Sequence, residues 1–318
     1  MLRTLSGEPC PLTVRSASVR QVSSTPTPAQ QAGLDAGRAA ALVVALVDDA
    51  AVFPPASTPV TDAVLAHRAH RRSEHSLVVG PFLVTVSRLG EVLDALDAHP
   101  SSDPLDLVLV ADTGLVEAAE ARSVLLDDDR VQLVGLEVTL PTDGPLGDSA
   151  RLTLDTLDFA LPAAIEIPRA AGWRDALAVI AVDGAERAKF RTGGPSAAHH
   201  PSEVELADVV LACVRGGVAF KLTAGLHRAV RRTAEDTGFE EHGFLNVLAA
   251  TARAIAGDDL ASVAAVLGRR DAAELLAILA DANPREVRRR FTSFGSCSIS
   301  DPVSDLRSLG LIEVEEAS

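Results

Sequence analysis

Apolar runs of strand length alternate with amphipathic helical segments from residue 39 to the end of the chain. The apolar runs are rich in Val, Leu, Ile and Phe, as buried parallel strands are. There are eight of them, at residues 40–47, 77–86, 105–111, 131–139, 163–168, 188–193, 217–224 and 290–296. Ser, Thr, Asp and Pro stand where the intervening helices begin. The pattern predicts successive βα units on a parallel sheet.

Eight such units predict an α/β fold, a (β/α)8 TIM barrel, in preference to an open doubly wound sheet, because no GxGxxG motif follows the first strand. The barrel is expected to be a single domain over residues 39–318. Its connection between the seventh and eighth strands is extended by a helical insertion at about 226–289, with helical patterns at 243–256 and 258–281. This insertion is a candidate lid or oligomer surface. Residues 1–38 predict a partly disordered arm or an addition to the edge of the fold.

The overall charge excludes some classes of partner. A formal net charge of -15 disfavours nucleic acid and anionic lipid, and no apolar run reaches the ~20 residues of a membrane span. Cys10, Cys213 and Cys297 are far apart and form no CxxC motif, which indicates a reducing, cytoplasmic setting. We expect an anionic small-molecule substrate, no nucleic acid or membrane partner, and a possible homo-oligomer.

Charged residues interrupt four consecutive strands. Because successive side chains of a strand point to opposite faces, apolar neighbours assign these residues to the barrel axis. The residues are Glu137 on the fourth strand, Glu166 on the fifth, Lys189 and Arg191 on the sixth, and Lys221 on the seventh. Each lies near the carboxyl end of its strand, where barrel enzymes keep their chemistry. The alternative is a set of solvated ion pairs at the rim; convergence from four strands favours a catalytic pocket.

Two lysines on neighbouring strands suggest amine chemistry. Each positive charge disfavours the other, and burial acts in the same direction, so we expect the pKa of Lys189 and Lys221 to be lowered. A neutral amine attacks a carbonyl and forms an iminium, which lets a neighbouring carbon-carbon bond break or form. Glu137 or Glu166 would shuttle protons, and Arg191 would tune the amine or bind an anion. We expect no cofactor for this chemistry.

Three short motifs resemble the class I deoxyribose-phosphate aldolase family. Residues 189–193 resemble its sixth-strand Lys-x-x-Thr-Gly, whose lysine forms the Schiff base. Residues 221–227 resemble its seventh-strand motif, whose lysine tunes the first. Residues 294–298 resemble its eighth-strand Phe-Gly-Ala-Ser-Ser, whose backbone amides hold a phosphate. The resemblance implies a barrel in which Lys189 is the Schiff-base lysine, Lys221 modulates its pKa, and Glu137 replaces the family's fourth-strand Asp as proton relay.

An anion site is expected at the ends of the last three strands. Independently of the resemblance, small residues follow these strands, where barrels place backbone amides around a phosphate or carboxylate. With the motif positions added, the candidate anion-binding residues are Thr192, Gly193, Gly194, Gly225, His227, Gly295, Ser296 and Ser298.

Two other functions stay open from the sequence. One is a metal-dependent isomerase or lyase that uses Glu137, Glu166 and His227, since His and carboxylate ligands form Zn and Mn sites at barrel mouths. The other is a non-catalytic barrel that binds an anionic metabolite or a partner. Asp48 and Asp49 end the first predicted strand, where they either reach the pocket or cap the next helix.

Overall fold

Eight parallel strands close into a barrel in the computed structural model, which describes residues 26–157, 161–184 and 186–313. The strands follow the chain around the barrel, and the first and last pair to close it. They are β1 (Val47–Asp49), β2 (Val79–Thr85), β3 (Leu105–Val110), β4 (Val131–Thr139), β5 (Ala163–Glu166), β6 (Arg187–Arg191), β7 (Phe220–Thr223) and β10 (Phe291–Ser296). The predicted (β/α)8 barrel is confirmed.

Helices follow the strands on the outside, as the predicted βα units require. They are α3 (Val60–Arg71), α4 (Leu89–Ala98), α5 (Leu115–Leu125), α6 (Leu146–Thr156), α7 (Trp173–Asp183), α8 (Glu203–Gly216) and, after β10, α13 (Ser300–Leu309). Short 3-10 turns lie at Ser76–Val78, Val86–Arg88 and Ala197–His199. α8 shows how local chemistry sets a boundary: Ser202 accepts a hydrogen bond from the Glu205 backbone amide while the Glu205 side chain accepts one from the Ser202 amide.

The first predicted strand, 40–47, is wrong over most of its length. Residues Ala36–Val43 form helix α2, and β1 begins only at Val47. The Asp35 carboxylate caps α2 by accepting a hydrogen bond from the Arg38 amide at 2.8 Å. Alanines at 39–41 favour a helix, and a short apolar run does not by itself distinguish a helix from a buried strand.

Residues 26–38, part of the predicted arm, pack onto the barrel. Helix α1 (Pro28–Gln31) buries Ala29, and Leu34 is buried as well. Arg38 in α2 donates hydrogen bonds at 2.6 Å to the carbonyls of Ala280 and Ala282. The remainder of the arm, residues 1–25, lies outside the described residues.

The connection from β7 to β10 contains four helices and a hairpin. The hairpin pairs β8 (Arg232–Thr233) with β9 (Glu240–Glu241), and the helices are α9 (Phe244–Ile255), α10 (Leu260–Leu267), α11 (Ala272–Asp281) and α12 (Pro284–Arg290). The helix predicted at 243–256 is α9. The helical pattern at 258–281 is divided into α10 and α11, with Asp271 capping the second by accepting from the Ala273 amide. Most of α9 is buried, as in a helix packed on several sides.

The strands divide the core into an outer and an inner part. Phe220 stacks on Phe291 with ring centroids 5.4 Å apart, on the helix-facing side. Inside the barrel, Ala50, Leu83 and Val108 form a small apolar cluster. Within the described part of the chain, no helix is long and apolar enough to cross a bilayer.

The buried Asn246 side chain holds the insertion together. Its amide nitrogen donates to the carbonyls of Val266, Leu267 and Arg269 at 2.8–3.3 Å, and its oxygen accepts from the Arg231 amide at 2.8 Å.

We expect Asn246→Ala to lower the free energy of unfolding by about 2 kcal/mol, because buried carbonyls lose their donor. Urea denaturation measures this change. Val182→Ala, at a side chain 90% exposed, is the control and should leave the midpoint unchanged.

Candidate active site inside the barrel

Four of the predicted charged side chains are buried inside the barrel. Glu137, Glu166, Lys189 and Lys221 are each no more than 8% exposed. Lys189 lies level with Glu166 on one side and Lys221 on the other in the strand register. Their inward direction, inferred from strand alternation, is confirmed.

These side chains form one connected ion network. The Lys189 ammonium lies 2.7 Å from Oε2 of Glu137 and 2.8 Å from Oε2 of Glu166. The Lys221 ammonium donates to Oε1 of Glu137 and, at 2.5 Å, to Oδ2 of Asp48. Glu137 therefore bridges the two lysines, and the order is Glu166, Lys189, Glu137, Lys221, Asp48. We refer to these five residues as the ion network.

Asp48 resolves an alternative that the sequence left open. It points inward, where Oδ2 also accepts a hydrogen bond from the Ser293 hydroxyl at 2.8 Å. Its neighbour Asp49 points the other way and bonds to Nδ1 of His67 on α3 at 3.0 Å. A Cβ on Gly80 of β2 would collide with Oδ1 of Asp48, so any larger residue at position 80 would displace this carboxylate. Asp48 therefore belongs to the pocket and Asp49 to the helix layer.

Ser293 was not anticipated as a site residue. It lies in the eighth strand one residue before the helix-facing Phe294, and it is level with Lys221 in the register. The alternation that identified the lysines could have identified it, because an inward serine among aromatic neighbours is the same kind of signal.

The expectation of lowered lysine pKa values is wrong. Burial lowers the pKa of Lys189, but the carboxylates of Glu137 and Glu166 outweigh it and raise the pKa above its usual value. Burial likewise lowers the pKa of Lys221, and Asp48 and Glu137 raise it further than burial lowers it. The physical reason is that a carboxylate lies between the two amines, so each ammonium has a closer negative neighbour than its positive one.

Glu137 has the opposite balance. Burial raises its pKa, but the two ammonium groups beside it lower the pKa to about 2. The carboxylate is therefore ionised at neutral pH in spite of its burial. The network then holds three carboxylates against two ammonium groups, which leaves one uncompensated negative charge.

Arg191 lies at the rim, where its positive charge compensates the remaining negative charge of the ion network. Its side chain is 45% exposed, and its Nε lies 3.4 Å from Oε1 of Glu166. The carboxyl-terminal mouth therefore presents a guanidinium directly above the Glu166 and Lys189 end of the network.

The candidate anion-binding residues lie at that same end. Close backbone packing explains why two of them, Gly193 and Gly225, are glycines. A Cβ on Gly193 would stand 2.7 Å from the Cα of Gly225, so the β6 and β7 loops approach too closely for any other residue. The Thr192 hydroxyl donates to the Ala224 carbonyl at 2.6 Å and fixes this contact. These residues hold the two strand ends together.

The remaining candidates are engaged with local partners. The Ser296 hydroxyl donates to the Ser298 carbonyl at 2.7 Å, and the Ser298 hydroxyl accepts from the Asp301 amide at the start of α13. Gly194 packs against the His199 ring, Gly295 lies in ordinary contact with Leu83 and Thr223, and Nδ1 of His227 is 3.9 Å from Sγ of Cys297. An anion site here stays a prediction.

The metal alternative lacks a ligand set among the described residues, where no group of three or more His, Cys, Asp or Glu side chains is placed to hold a metal ion. Glu137 and Glu166, two of the ligands it requires, are instead bound by Lys189.

Lysine is rare in this chain, and its rarity points to the same two residues. Of the 29 lysines and arginines, two are lysines and 27 are arginines. Both lysines lie in the ion network. Arginine stays protonated in proteins, whereas a lysine amine can lose its proton. The chain therefore uses arginine wherever only a positive charge is needed, and keeps lysine for the barrel interior.

Comparisons of the chain with models of known protein families, with curated proteins and with solved structures found no match. The case for a function rests on the barrel interior alone.

The ion network predicts a specific dependence of stability on pH. The pKa of Glu137 is lowered by folding, so its contribution is present above its ordinary pKa of 4.5 and is lost as pH falls toward about 2. Glu137→Gln should lower the free energy of unfolding at pH 7 by about 3 kcal/mol and reduce the loss of stability below pH 5. Urea denaturation between pH 3 and 8 measures both effects.

The matched control is Glu120→Gln on the exposed face of α5, which should keep the wild-type pH profile. An unchanged midpoint for Glu137→Gln at pH 7 would contradict the role of Glu137 as the bridge between the lysines.

Proposed function

We propose that this barrel is a lysine-dependent aldolase or related carbon-carbon lyase, with Lys189 as the amine that forms a Schiff base with a small anionic carbonyl compound. The observation that carries the proposal is the Lys189 ammonium, buried between two carboxylates at 2.7 and 2.8 Å. A buried amine with proton acceptors at hydrogen-bond distance is what imine formation requires.

Position favours Lys189 over Lys221 as the reacting amine. Lys189 contacts Glu166, whose side chain is 10% exposed and adjoins Arg191 at the carboxyl-terminal mouth. Lys221 lies between Glu137 and Asp48, whose side chains are 2% and 5% exposed. A substrate that enters from the mouth reaches Lys189 first. Barrel enzymes place their reacting groups at this end.

The raised pKa of Lys189 sets the first step. The resting ammonium must give up a proton before its nitrogen can attack, and the nearest acceptors are Glu166 and Glu137. Moving the proton to a carboxylate converts the ion pair into two neutral groups, which a buried site tolerates better than an unpaired charge. The protonated carboxyl group then supplies the proton with which the carbinolamine loses its oxygen as water.

The iminium then acts as the electron sink. The bond between the α and β carbons, counted from the imine carbon, breaks while a carboxylate of the network takes the proton of the hydroxyl group on the β carbon, which leaves as the carbonyl carbon of the first product. The electron pair of the broken bond forms an enamine on Lys189. The carboxyl group returns its proton to the enamine carbon, and water then hydrolyses the iminium, which releases the second product and the amine. The reverse sequence forms the same carbon-carbon bond.

Lys221 acts as a positioning residue in this scheme. It holds one oxygen of Glu137 while the other oxygen faces Lys189. Its charge keeps Glu137 a weak base, which favours return of the proton to the substrate. The resemblance of residues 189–193 and 221–227 to class I deoxyribose-phosphate aldolases supports the same division of roles.

An anionic substrate is supported by Arg191. Its half-exposed guanidinium stands at the mouth beside Glu166, and the predicted anion-binding loops surround the same opening. A carboxylate or phosphate on the substrate would pair with Arg191 while the carbonyl carbon reaches Lys189.

Reductive trapping tests the proposal directly. Incubation with borohydride and pyruvate, dihydroxyacetone phosphate, acetaldehyde or a sugar phosphate should add to Lys189 the mass of one substrate molecule less one oxygen atom, because imine formation releases water and borohydride adds two hydrogens. The chain has only two lysines, so intact-mass and peptide mass spectrometry can assign the adduct without ambiguity. Lys189→Arg should abolish trapping because arginine does not form the imine.

Lys221→Arg is the matched variant and should still trap on Lys189, at a reduced rate. An adduct on Lys221 in the wild type, or no adduct with any of the four carbonyl classes, would overturn the assignment.

Glu166 gives a second, independent prediction. It raises the pKa of Lys189, so Glu166→Gln should lower that pKa and move the pH profile of trapping to lower pH. The plateau rate should fall by roughly tenfold or more, because a proton acceptor at 2.8 Å has been removed. Rates of borohydride trapping between pH 5 and 10 measure both effects, with Glu120→Gln as control. A shift to higher pH would contradict the ion-pair assignment.

A further inference from the structure

A polar cavity opens at the end of the barrel opposite to Arg191. It has a volume of about 300 Å³ and lies at the amino-terminal ends of the strands. Ala45 before β1, Pro81 near the start of β2, Arg187 at the start of β6 and Thr292 near the start of β10 line it. Lys221 reaches the cavity from above. Substrate entry at the carboxyl-terminal mouth makes no use of this cavity.

Arg187 is directed into this cavity. It precedes Lys189 by two residues on β6, so both side chains face the barrel axis. Its Nη2 lies 3.9 Å from the point where a Cβ on Gly135 would stand, against the inner face of β4. Within residues 26–157, 161–184 and 186–313, its guanidinium has no hydrogen bond or ion pair. A guanidinium with five donors is therefore open to the cavity.

Arg288 on α12 is the second cation of the cavity. Its Nη atoms donate to the carbonyls of Phe291 and Val44 at 2.7 and 2.8 Å. Its Nε is buried and has no partner among the described residues, where no carboxylate lies within ion-pair distance of the group either. Burial lowers the pKa of Arg288 to about 10, with Asp48 acting weakly in the other direction. Arg288 is half-buried, and holding part of a guanidinium away from water without an ion-pair partner is costly.

The charge around the cavity is positive in a chain that is strongly negative. Arg187, Arg288 and Lys221 line it together with Asp48 and Glu137, so three cations face two carboxylates. Both carboxylates are bound by Lys221. The lining therefore has a net positive charge, and neither arginine forms an ion pair among the described residues, in a chain of formal net charge -15.

We infer that this cavity is a binding site for a small oxyanion, held by the guanidinium of Arg187 with the positive charge of Arg288 beside it. Arginine pairs with phosphate and carboxylate through short, charge-assisted hydrogen bonds. A volume of about 300 Å³ is at the lower limit of small-molecule pockets, which suits inorganic phosphate or a short carboxylate.

The site does not depend on imine chemistry, but it adjoins the network. An anion beside Lys221 stabilises that ammonium, so anion binding and proton binding by the network are coupled. The anion changes the proton affinity of the network by the same factor as protonation changes the affinity for the anion. The cavity is therefore placed to sense the state of the ion network from the side that substrate does not enter.

Calorimetric titration of the whole chain with inorganic phosphate, at constant ionic strength, tests the inference. We expect a saturable site that depends on Arg187. Arg187→Gln should weaken it at least about tenfold, because a charge-assisted pair is lost. Arg288→Gln should weaken it by removing a positive charge from the cavity wall. Should Arg288→Gln fail to fold, Arg187→Gln decides the question alone, because Arg187 has no described hydrogen-bond or ion-pair partner whose loss would unfold the barrel.

Arg289→Gln on α12, at a side chain 73% exposed, is the matched control and should leave phosphate affinity unchanged. Binding that is lost in Arg191→Gln and kept in Arg187→Gln would put the phosphate at the carboxyl-terminal mouth and overturn the inference. Absence of saturable binding up to about 10 mM phosphate, or equal affinity in all variants, would overturn it as well.

Discussion

The bridging of two buried lysines by the Glu137 carboxylate is the interaction on which the barrel interior depends. Five ionisable groups lie in a space that barrels usually fill with branched apolar side chains. They are tolerated there because their charges alternate along the chain of contacts from Glu166 to Asp48. Removing the central carboxylate leaves two ammonium groups with one partner each and no group between them. Burial of charge is favourable only as long as this order is kept.

The same order of charges makes the two ends of the barrel different. Its interior is apolar beside Ala50, Leu83 and Val108 and charged from β4 around to β1. At the carboxyl-terminal mouth the network ends in Glu166 and Arg191, which are the most accessible of its members and neighbours. At the amino-terminal end it meets a cavity lined by two arginines without carboxylate partners in the described part of the chain. The proposed imine chemistry and the inferred oxyanion cavity therefore lie at opposite ends of one connected set of charges.

The choice of lysine over arginine gives chemical meaning to the network. Structural ion pairs elsewhere in this chain use arginine, as Arg231 does with Glu203 and Glu240. A purely structural network could have used arginine inside the barrel too, since a guanidinium makes more hydrogen bonds to a carboxylate. What only lysine offers is an amine that can be deprotonated by a neighbour at 2.7–2.8 Å. Because the pKa of Lys189 is raised, its amine is protonated at rest. In the proposed reaction the neighbouring carboxylates must therefore take this proton before the nitrogen can attack.

By itself the sequence determined the alternation of strands and helices, the closed barrel, and the inward direction of Glu137, Glu166, Lys189 and Lys221. These follow from periodicity and from flanking apolar residues, which are local properties of the chain. Only the tertiary structure decided that Asp48 rather than Asp49 enters the pocket and that Arg187 and Arg288 share a cavity. Closure brings β1 beside β10, 240 and more residues away, and no local pattern contains that contact. It also decided the sign of the lysine pKa shifts, because a pKa depends on which charge is nearest in space, and the nearest charge to each lysine is a carboxylate from a distant strand.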